Sequence, residues 1–373
     1  MKNKKFVIKN TLGMFDLLKG IVMILVVVSH TAGLIPFLDE YHSIDELVAN
    51  VNIFVLFLTF AFMIFGQATM PALFIISGYG FRKTTYKKCI VKQYETLIIP
   101  YIITVVIATI LHFFSYYFLY GGFKISLKQT IQILLGGLFG FPTNRGINDF
   151  WLLACGPIWF LAALSIATFI FNFWVNNFSG VKLFLLSLLT TVIGWIISFA
   201  GPLPWSLSQA FIAVSYLWLG YYIKKNKLLV SPIKIKHAIG IAIIVIPYLF
   251  YTNFSKFFGM ATDEYPLGPI SIIANGLLGV LIIKFFLHLN SFDGFICTFI
   301  RKIGRQSLYF LCIHSIEMVA IGNYLTYLFI YEWWKGDPGL RSIIILAIRI
   351  PFAIIATFLF VYIKDNIAKA RKA

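Results

Sequence analysis

Three ionisable side chains lie on one predicted face of the first apolar segment, residues 15–30 (FDLLKGIVMILVVVSH). Asp16 and Lys19 have the i,i+3 spacing that makes two helical side chains neighbours. His30 follows Lys19 by about three helical turns, so it shares their face and lies about 16 Å further along the axis. An imidazole can accept a proton from a hydroxyl near neutral pH, so this face predicts acid–base chemistry. The alternative for Asp16 and Lys19 is a simple ion pair at the membrane surface.

A second histidine lies in the apolar segment 303–317 (IGRQSLYFLCIHSIE). Ser307 precedes His314 by two helical turns, and Glu317 is its i,i+3 neighbour, able to orient the imidazole. Arg349, a charge inside the last apolar segment, needs a partner in the membrane, and Glu317 is the candidate. The alternative is that His314 is a structural histidine whose polar atoms are hydrogen-bonded inside the protein core.

The segment 70–88 (MPALFIISGYGFRKTTYKK) combines small residues with a cationic end. Small residues let another helix or a ligand approach the backbone closely, and Arg and Lys can hold phosphate groups. Ordinary anchoring of a helix end with a packing notch is the alternative. The candidate residues here are Ser77, Gly78, Tyr79, Arg82 and Lys83.

The composition is that of a membrane protein. Of 373 residues, 60% are apolar and 12% are charged, against about 45–50% and about 25% in an ordinary soluble domain. The net charge of +17 is spread over short clusters between apolar runs, which excludes a nucleic-acid-binding face. The four cysteines show no CxxC or ligand-like spacing, so we expect no metal site and no disulfide framework.

The apolar runs that must position these residues each approach the roughly 20 residues that a membrane helix needs. With ten spans both termini lie on one side, and because Lys and Arg concentrate in the loops on that side, it is the cytoplasmic side. We therefore expect an all-α polytopic protein of the cell (plasma) membrane, one integral domain over residues 1–373 with no separate soluble domain. Residues 47–61 are expected to form an interfacial or re-entrant helix, although only Gly66 and Gln67 interrupt the apolar run into the next span. The expected spans are 14–34, 62–81, 97–119, 157–175, 183–200, 208–223, 238–254, 268–287, 306–328 and 342–363.

Four blocks, taken in order, resemble the acyltransferase type 3 membrane family. The stretch 201–227 (GPLPWSLSQAFIAVSYLWLGYYIKKNK) is similar to the subgroup related to fucose 4-O-acetylases. Trp159 lies in the third block, residues 156–165, where the sequence alone places it at interfacial depth. The family's first-span arginine is Lys19 here, and Thr85 stands at the second position of its cytoplasmic Arg-x-x-Arg pattern. The four blocks are FDLLKGIVMILVVVSH, MPALFIISGYGFRK, GPIWFLAALS and IGRQSLYFLCIHSI.

The resemblance implies an O-acyltransferase that moves an acetyl group from cytosolic acetyl-CoA to a hydroxyl of a cell-envelope carbohydrate or lipid-linked glycan. It implies that His30 is the essential first-span histidine, with Asp16 and Lys19 at the acidic and basic positions. It associates the acyl donor with Ser77, Gly78, Tyr79, Arg82 and Lys83. We expect no metal and no nucleic acid among the partners. Trp159, Ser307, His314, Glu317 and Arg349 are expected to support the site or contact substrate.

A transporter is the alternative function. Buried acidic, basic and histidine side chains equally suit a proton-coupled carrier. Some relatives of the family resemble the membrane half of serine racemases, which handles an amino acid. No internal repeat is visible in the sequence, which favours the enzyme.

Overall fold

Long apolar helices dominate the chain because a backbone in hydrocarbon must satisfy its polar groups within its own segment. The computed structural model describes residues 12–31, 49, 53–230, 235–254, 257–335 and 338–370. A short antiparallel hairpin pairs β1 (Arg145–Ile147) with β2 (Phe150–Leu152). The helices are α1 (Asp16–Ser29), α2 (Ile53–Gly80), α3 (Tyr86–Gln93), α4 (Ile99–Tyr120), α5 (Phe123–Phe139), α6 (Trp159–Asn177), α7 (Gly180–Ser198), α8 (Leu207–Lys225), α9 (Ile235–Phe254), α10 (Pro269–Leu289), α11 (Phe295–Arg305), α12 (Ser307–Glu317), α13 (Asn323–Leu328) and α14 (Pro338–Ala370).

Within the described ranges, six helices are long and apolar enough to cross a membrane. The chain is thus a predominantly helical, multi-pass membrane protein, as its composition predicts. A single π-helical turn (Tyr94–Ile98) joins α3 to α4, so these two helices count as one segment. The six segments are Tyr86–Tyr120, Gly156–Asn177, Gly180–Ser198, Ile235–Thr252, Pro269–Leu289 and Ile343–Ala370.

The prediction of a separate helix over residues 47–61 is wrong for the part of that segment that the structure describes. Helix α2 is continuous over 28 residues and passes through Gly66 and Gln67 without a break. It is about 42 Å long, more than the roughly 30 Å of a bilayer core. Residues 53–61 therefore extend the same helix that ends at Gly80. The rest of that segment, apart from Ala49, lies outside the described residues.

The predicted span 306–328 is not one regular helix. Helix α12 ends at Glu317, and a π-helical turn, Met318–Gly322, follows it. Gly322 faces the Glu317 side chain so closely that a Cβ atom there would lie 2.0 Å from Oε1. Single π-turns inside helices are frequent at functional sites, and this one begins directly after the predicted His314–Glu317 pair.

Helices α1 and α11 contact each other through glycines, and this contact sets their register. A Cβ on Gly20 would lie 2.1 Å from the Ile300 carbonyl oxygen, and one on Gly304 would lie 1.8 Å from the Asp16 carbonyl oxygen. Small residues allow this backbone approach between membrane helices. The segment α11–α12 therefore runs beside α1 in a fixed register.

Candidate active site

The amino-terminal end of the face predicted on α1 is built around the buried carboxylate of Asp16. Lys19 Nζ lies 2.7 Å from Asp16 Oδ1, and Arg305 Nε of α11 lies 3.2 Å from Oδ2. Asp16 is 4% exposed, whereas the Arg305 side chain is 65% exposed. The predicted neighbours Asp16 and Lys19 thus do meet, and the structure adds a second cation that the sequence did not assign to them.

At the other end of α1 two histidine rings meet. His30 follows the last residue of α1, and its ring centroid lies 5.8 Å from that of His314 in an edge-to-face arrangement. His30 is half-buried, and His314 is fully buried. Asp16 contacts α11 and His30 contacts α12, so both ends of the predicted face turn toward the same neighbouring segment.

Hydrogen bonds define where each histidine carries its proton. His30 Nδ1 lies 2.7 Å from the Val26 carbonyl oxygen, which can only accept, so Nδ1 donates and Nε2 keeps its lone pair. His314 Nδ1 lies 3.1 Å from Glu317 Oε2, which assigns the same tautomer to that ring. His314 Nε2 is buried without a hydrogen-bond partner in the described part of the chain. Both rings are therefore able to accept a proton at Nε2.

Glu317 is held by Arg349 in a two-point ion pair. Arg349 Nε donates to Oε1 at 2.9 Å, and a terminal guanidinium nitrogen donates to Oε2 at 3.0 Å. The other terminal nitrogen donates to the His30 carbonyl oxygen at 3.1 Å and lies 3.4 Å from Thr31 Oγ1. The pairing expected for Arg349 is thus present, and the same side chain also fixes the carboxyl end of α1.

The residues expected to bind the acyl donor occupy the end of α2. Ser77 Oγ donates to the Leu73 carbonyl oxygen at 2.9 Å within its own helix. A Cβ on Gly78 would lie 2.1 Å from the Leu217 carbonyl oxygen, so Gly78 serves a close crossing with α8. Tyr79 is buried, with its ring against Phe15 and beneath Lys224 Nζ, which lies 5.6 Å from its centroid.

Arg82 and Lys83 are exposed in the turn that follows α2. The next residue, Thr84, is bound through its backbone N–H and carbonyl by the side-chain amide of Asn172, both at 3.1 Å. Asn176 Nδ2 donates to the same carbonyl at 3.0 Å. Two asparagines of α6 therefore hold the cationic turn in place. Sequence reasoning missed them, although a polar residue inside an apolar helix is itself a signal.

Trp159 lies in the interior of the helix bundle and does not face outward, while its depth in the membrane stays a prediction. It is 4% exposed and packs edge-on against Phe160, which in turn contacts Phe74 of α2. The turn before it, at Gly156, faces α12 so closely that a Cβ there would lie 3.5 Å from Ser315 Oγ. The beginning of α6 is thus an interior element between α2 and α12 because both helices cover it.

Ser307 is the first residue of α12 and is half-buried. It lies two turns before His314 on that helix, and the structure shows no contact that joins it to the two histidines. In the described ranges, no three His, Cys, Asp or Glu side chains form a group able to hold a metal ion. Two imidazoles that can accept a proton, supported by a carboxylate and a guanidinium, can carry out proton transfer.

A known protein family matches most of the chain. The family model for the acyltransferase domain of the acyltransferase 3 family matches residues 13–364. Comparisons with curated proteins and with solved structures found no match. Because the family match spans nearly the whole sequence, from before α1 into α14, the chain belongs to the acyltransferase 3 family and is a membrane acyltransferase.

Proposed function

We propose that this protein transfers an acetyl group from cytosolic acetyl-CoA to a hydroxyl of a cell-envelope carbohydrate or lipid-linked glycan. The observation that carries the proposal is the pair of histidines, His30 and His314, whose rings lie 5.8 Å apart and whose Nδ1 atoms are both occupied. Such a pair suits removal of a proton from a hydroxyl and its delivery to a leaving group. The family match supports acyl transfer and lends no support to the carrier alternative.

The reaction needs one base and one returned proton. His30 Nε2 takes the hydroxyl proton while the hydroxyl oxygen attacks the thioester carbonyl carbon. The carbon–sulfur bond then breaks, and the CoA thiolate takes up the proton, which leaves the acetyl ester and free CoA. A transient acyl-histidine would reach the same products in two steps. His314, oriented by Glu317, holds the hydroxyl from the other side or relays the proton.

The donor would approach from the cytosolic end of α2. Acetyl-CoA is strongly anionic, and its phosphates can bind the exposed Arg82 and Lys83. The Arg82 guanidinium would donate two hydrogen bonds to a phosphate, and the Lys83 ammonium would act as a point charge. Asn172 holds the adjoining backbone at Thr84, which keeps both cations at a fixed place. Ser77 and Tyr79 would then line the path along which the thioester reaches the histidines, and Gly78 would support that path through its close crossing with α8. Asp16, Lys19 and Arg305 would form the lower wall of this path.

We also propose that the chain crosses the plasma membrane about ten times, with both termini in the cytoplasm. The six apolar segments support several crossings, and the distribution of Lys and Arg supports the orientation. Residues 201–227 support a place in the subgroup similar to fucose 4-O-acetylases. The acceptor would then reach His30 from the outer side or from the lipid.

Replacing each histidine by glutamine tests the proposal. We expect purified His30→Gln and His314→Gln to lose about 10²–10⁴ of the rate of CoA release from acetyl-CoA in the presence of methyl glycosides. His288→Gln, at an exposed position near the end of α10, is the matched control and should retain the native rate. Native turnover by His30→Gln would remove this residue from the mechanism. If the native protein consumes no acetyl-CoA, the assignment of acetyl-CoA as the acyl donor is refuted.

A further inference from the structure

The loop between α9 and α10 is held to the beginning of α8 by a chain of polar side chains. Ser208 Oγ lies 3.0 Å from Gln209 Oε1 and 3.2 Å from Asp263 Oδ2. The Tyr265 hydroxyl donates to Asp263 Oδ1 at 3.3 Å. Ser208 and Gln209 are fully buried, Tyr265 is buried and Asp263 is half-buried. The contact therefore joins two distant parts of the chain at a place with little access to water.

The hydrogen atoms available in this chain of contacts fit a neutral Asp263. Ser208 has one hydroxyl hydrogen, whereas Gln209 Oε1 and an ionised Asp263 carboxylate can only accept. With Asp263 ionised, one of the two contacts of Ser208 has no hydrogen between its oxygens. With a proton on Oδ2, Asp263 donates to Ser208 Oγ and Ser208 donates to Gln209 Oε1. Both contacts are then hydrogen bonds.

Opposing effects act on the charge of Asp263, which lies outside the membrane-spanning segments. Burial raises the pKa of its carboxyl from the ordinary value to about 7, although the polar groups of Ser208, Tyr265 and Gln209 lower it. The first turn of α8 favours a negative charge, because backbone N–H groups at the start of a helix lack helical partners. The proton is therefore held by burial and by the hydrogen-bond chain.

The helices beside the loop offer no counter-charge at this place. Gly268 lies against Trp195 of α7, and α10 follows the loop directly. Residues 183–223 and 265–283 contain no Asp, Glu, Lys, Arg or His. The other titratable or charged described side chains on the packed elements are Glu264 and Tyr265 of the loop, Tyr216 of α8, Tyr248 of α9, and Arg145 of the hairpin, which donates to the Pro202 carbonyl oxygen.

The backbone on both sides of the contact has an uncommon conformation. Asp263, Trp205 and Ser206 have φ angles of 59°, 56° and 52°, in the left-handed region that is costly for residues other than glycine. Gly259 and Glu264 close the turn around Asp263 through two backbone hydrogen bonds of 3.0 and 2.9 Å. Such residues persist only where their surroundings fix them, and they are frequent in switch regions. Loss of one fixing contact should therefore loosen the loop.

We propose that Asp263, Ser208 and Gln209 form a proton-operated switch. The neutral carboxyl holds the loop on α8. When the proton leaves Oδ2 for water, the Gln209 amide turns so that Nε2 donates to Ser208 and Ser208 donates to the carboxylate. Nε2 is free for this role, since it is buried and makes no hydrogen bond with a described residue. The switch lies at the end of α8 away from Lys224, so in the proposed topology it faces the outer medium.

Infrared spectroscopy of the purified full chain tests the proton directly. A protonated carboxyl has its own C=O stretch, and the difference spectrum between the native protein and Asp263→Asn isolates the band of this residue. We expect the band at about pH 5 and its loss around the raised pKa, about 7. The matched control is Asp149→Asn, which replaces an exposed carboxyl in the turn of the hairpin and should keep the band.

Thermal unfolding measures what the proton contributes to stability. Between the ordinary aspartate pKa of about 3.9 and the raised value, the folded chain keeps a proton that the unfolded chain has lost, so stability falls as pH rises. The amide in Asp263→Asn keeps a donor to Ser208 and does not ionise. Its Tm minus the native Tm should grow by about 2–4 °C from pH 5 to pH 7 and then level off. Asp149→Asn should show no such growth.

Gln209→Met separates the hydrogen-bond chain from burial alone. In that variant Ser208 is free to donate to the Asp263 carboxylate, so the infrared band should be lost about half a unit to one unit lower in pH. Burial alone predicts no downward change. The inference is overturned if Asp263→Asn removes no carboxyl band, if its Tm difference is constant with pH, or if Gln209→Met does not lower the midpoint. These measurements need neither acyl donor nor acceptor, so they are independent of the proposed reaction.

Discussion

The two ends of α1 carry similar charged groups in different surroundings. At the amino-terminal end, Asp16 is shared by Lys19 and Arg305, whose side chains are 19% and 65% exposed. At the other end, the Glu317 and Arg349 side chains beside His30 are each 6% exposed. Both carboxylates are buried, but Asp16 has two partly exposed cations and keeps one when the other is lost, whereas the guanidinium that holds Glu317 is itself buried. The same ion-pair chemistry therefore reaches solvent through its cations at one end and forms a fixed support for two imidazoles at the other.

The largest expected effect comes from the contact that positions both ends at once. In Gly304→Ala the added Cβ would lie 1.8 Å from the Asp16 carbonyl oxygen and 2.8 Å from the Gly20 nitrogen, so α1 and α11 must separate. Separation would break the Asp16–Arg305 pair and displace His30 from His314. We expect loss of several kcal/mol of stability, on the order of the cost of overpacking a core or more, together with loss of acyl transfer.

Gly294→Ala is the control for that substitution. Gly294 precedes the same helix, and a Cβ there meets nothing within 4 Å. Its Tm and its rate of CoA release should stay close to native values. A Gly304→Ala protein with native Tm would show that the glycine contact does not set the position of α1.

The second prediction concerns a substitution that disrupts only the buried end of α1, beside the two histidines. Arg349→Met leaves Glu317 as a buried carboxylate without its guanidinium partner and removes the donor to the His30 carbonyl oxygen. Breaking a buried pair in this way costs about 3–5 kcal/mol. We expect a large fall in Tm and in rate, measured by thermal unfolding and CoA release in detergent.

The double variant Glu317→Met, Arg349→Met sharpens this result. It removes both charges, so part of the lost Tm should return while the rate stays low, because His314 Nδ1 then lacks its carboxylate. Equal Tm losses in the single and double variants would contradict the view that the isolated charge is what destabilises the protein.

The contacts at the two ends of α1 were predictable from the sequence to different extents. Helical spacing placed Asp16 beside Lys19 and His314 beside Glu317, and the cost of a lone charge in a membrane indicated Arg349 as the partner of Glu317. The bond from Arg349 to the His30 carbonyl was not predictable, because a main-chain acceptor leaves no trace in residue types. The sequence also did not predict that α2 continues through Gly66 and Gln67. Gln67 is buried by neighbouring helices, and burial by distant segments leaves no periodic pattern in the residues of α2 itself.

The burial of Trp159 and the role of Asn172 show the same limit. An aromatic residue at the start of an apolar run suits a membrane surface, and only the packing of α2 and α12 around the beginning of α6 places it inside. Asn172 was visible as a polar residue in an apolar run, but its partner, the backbone of Thr84, lies 88 residues away. Contacts between distant segments therefore need the fold itself.

The smallest expected effect lies at the amino-terminal end of α1. In Arg305→Gln, Asp16 keeps Lys19 at 2.7 Å, so the free energy of unfolding should fall by about 1 kcal/mol or less. Lys302→Gln, which removes an exposed charge from the same helix, is the control and should change Tm even less. Raising the salt concentration should shrink the difference between these two variants, because exposed charges are screened. The loss in Arg349→Met should persist in salt, since its partner is buried. A salt-independent loss in Arg305→Gln as large as that of Arg349→Met would show that the two ends of α1 do not differ.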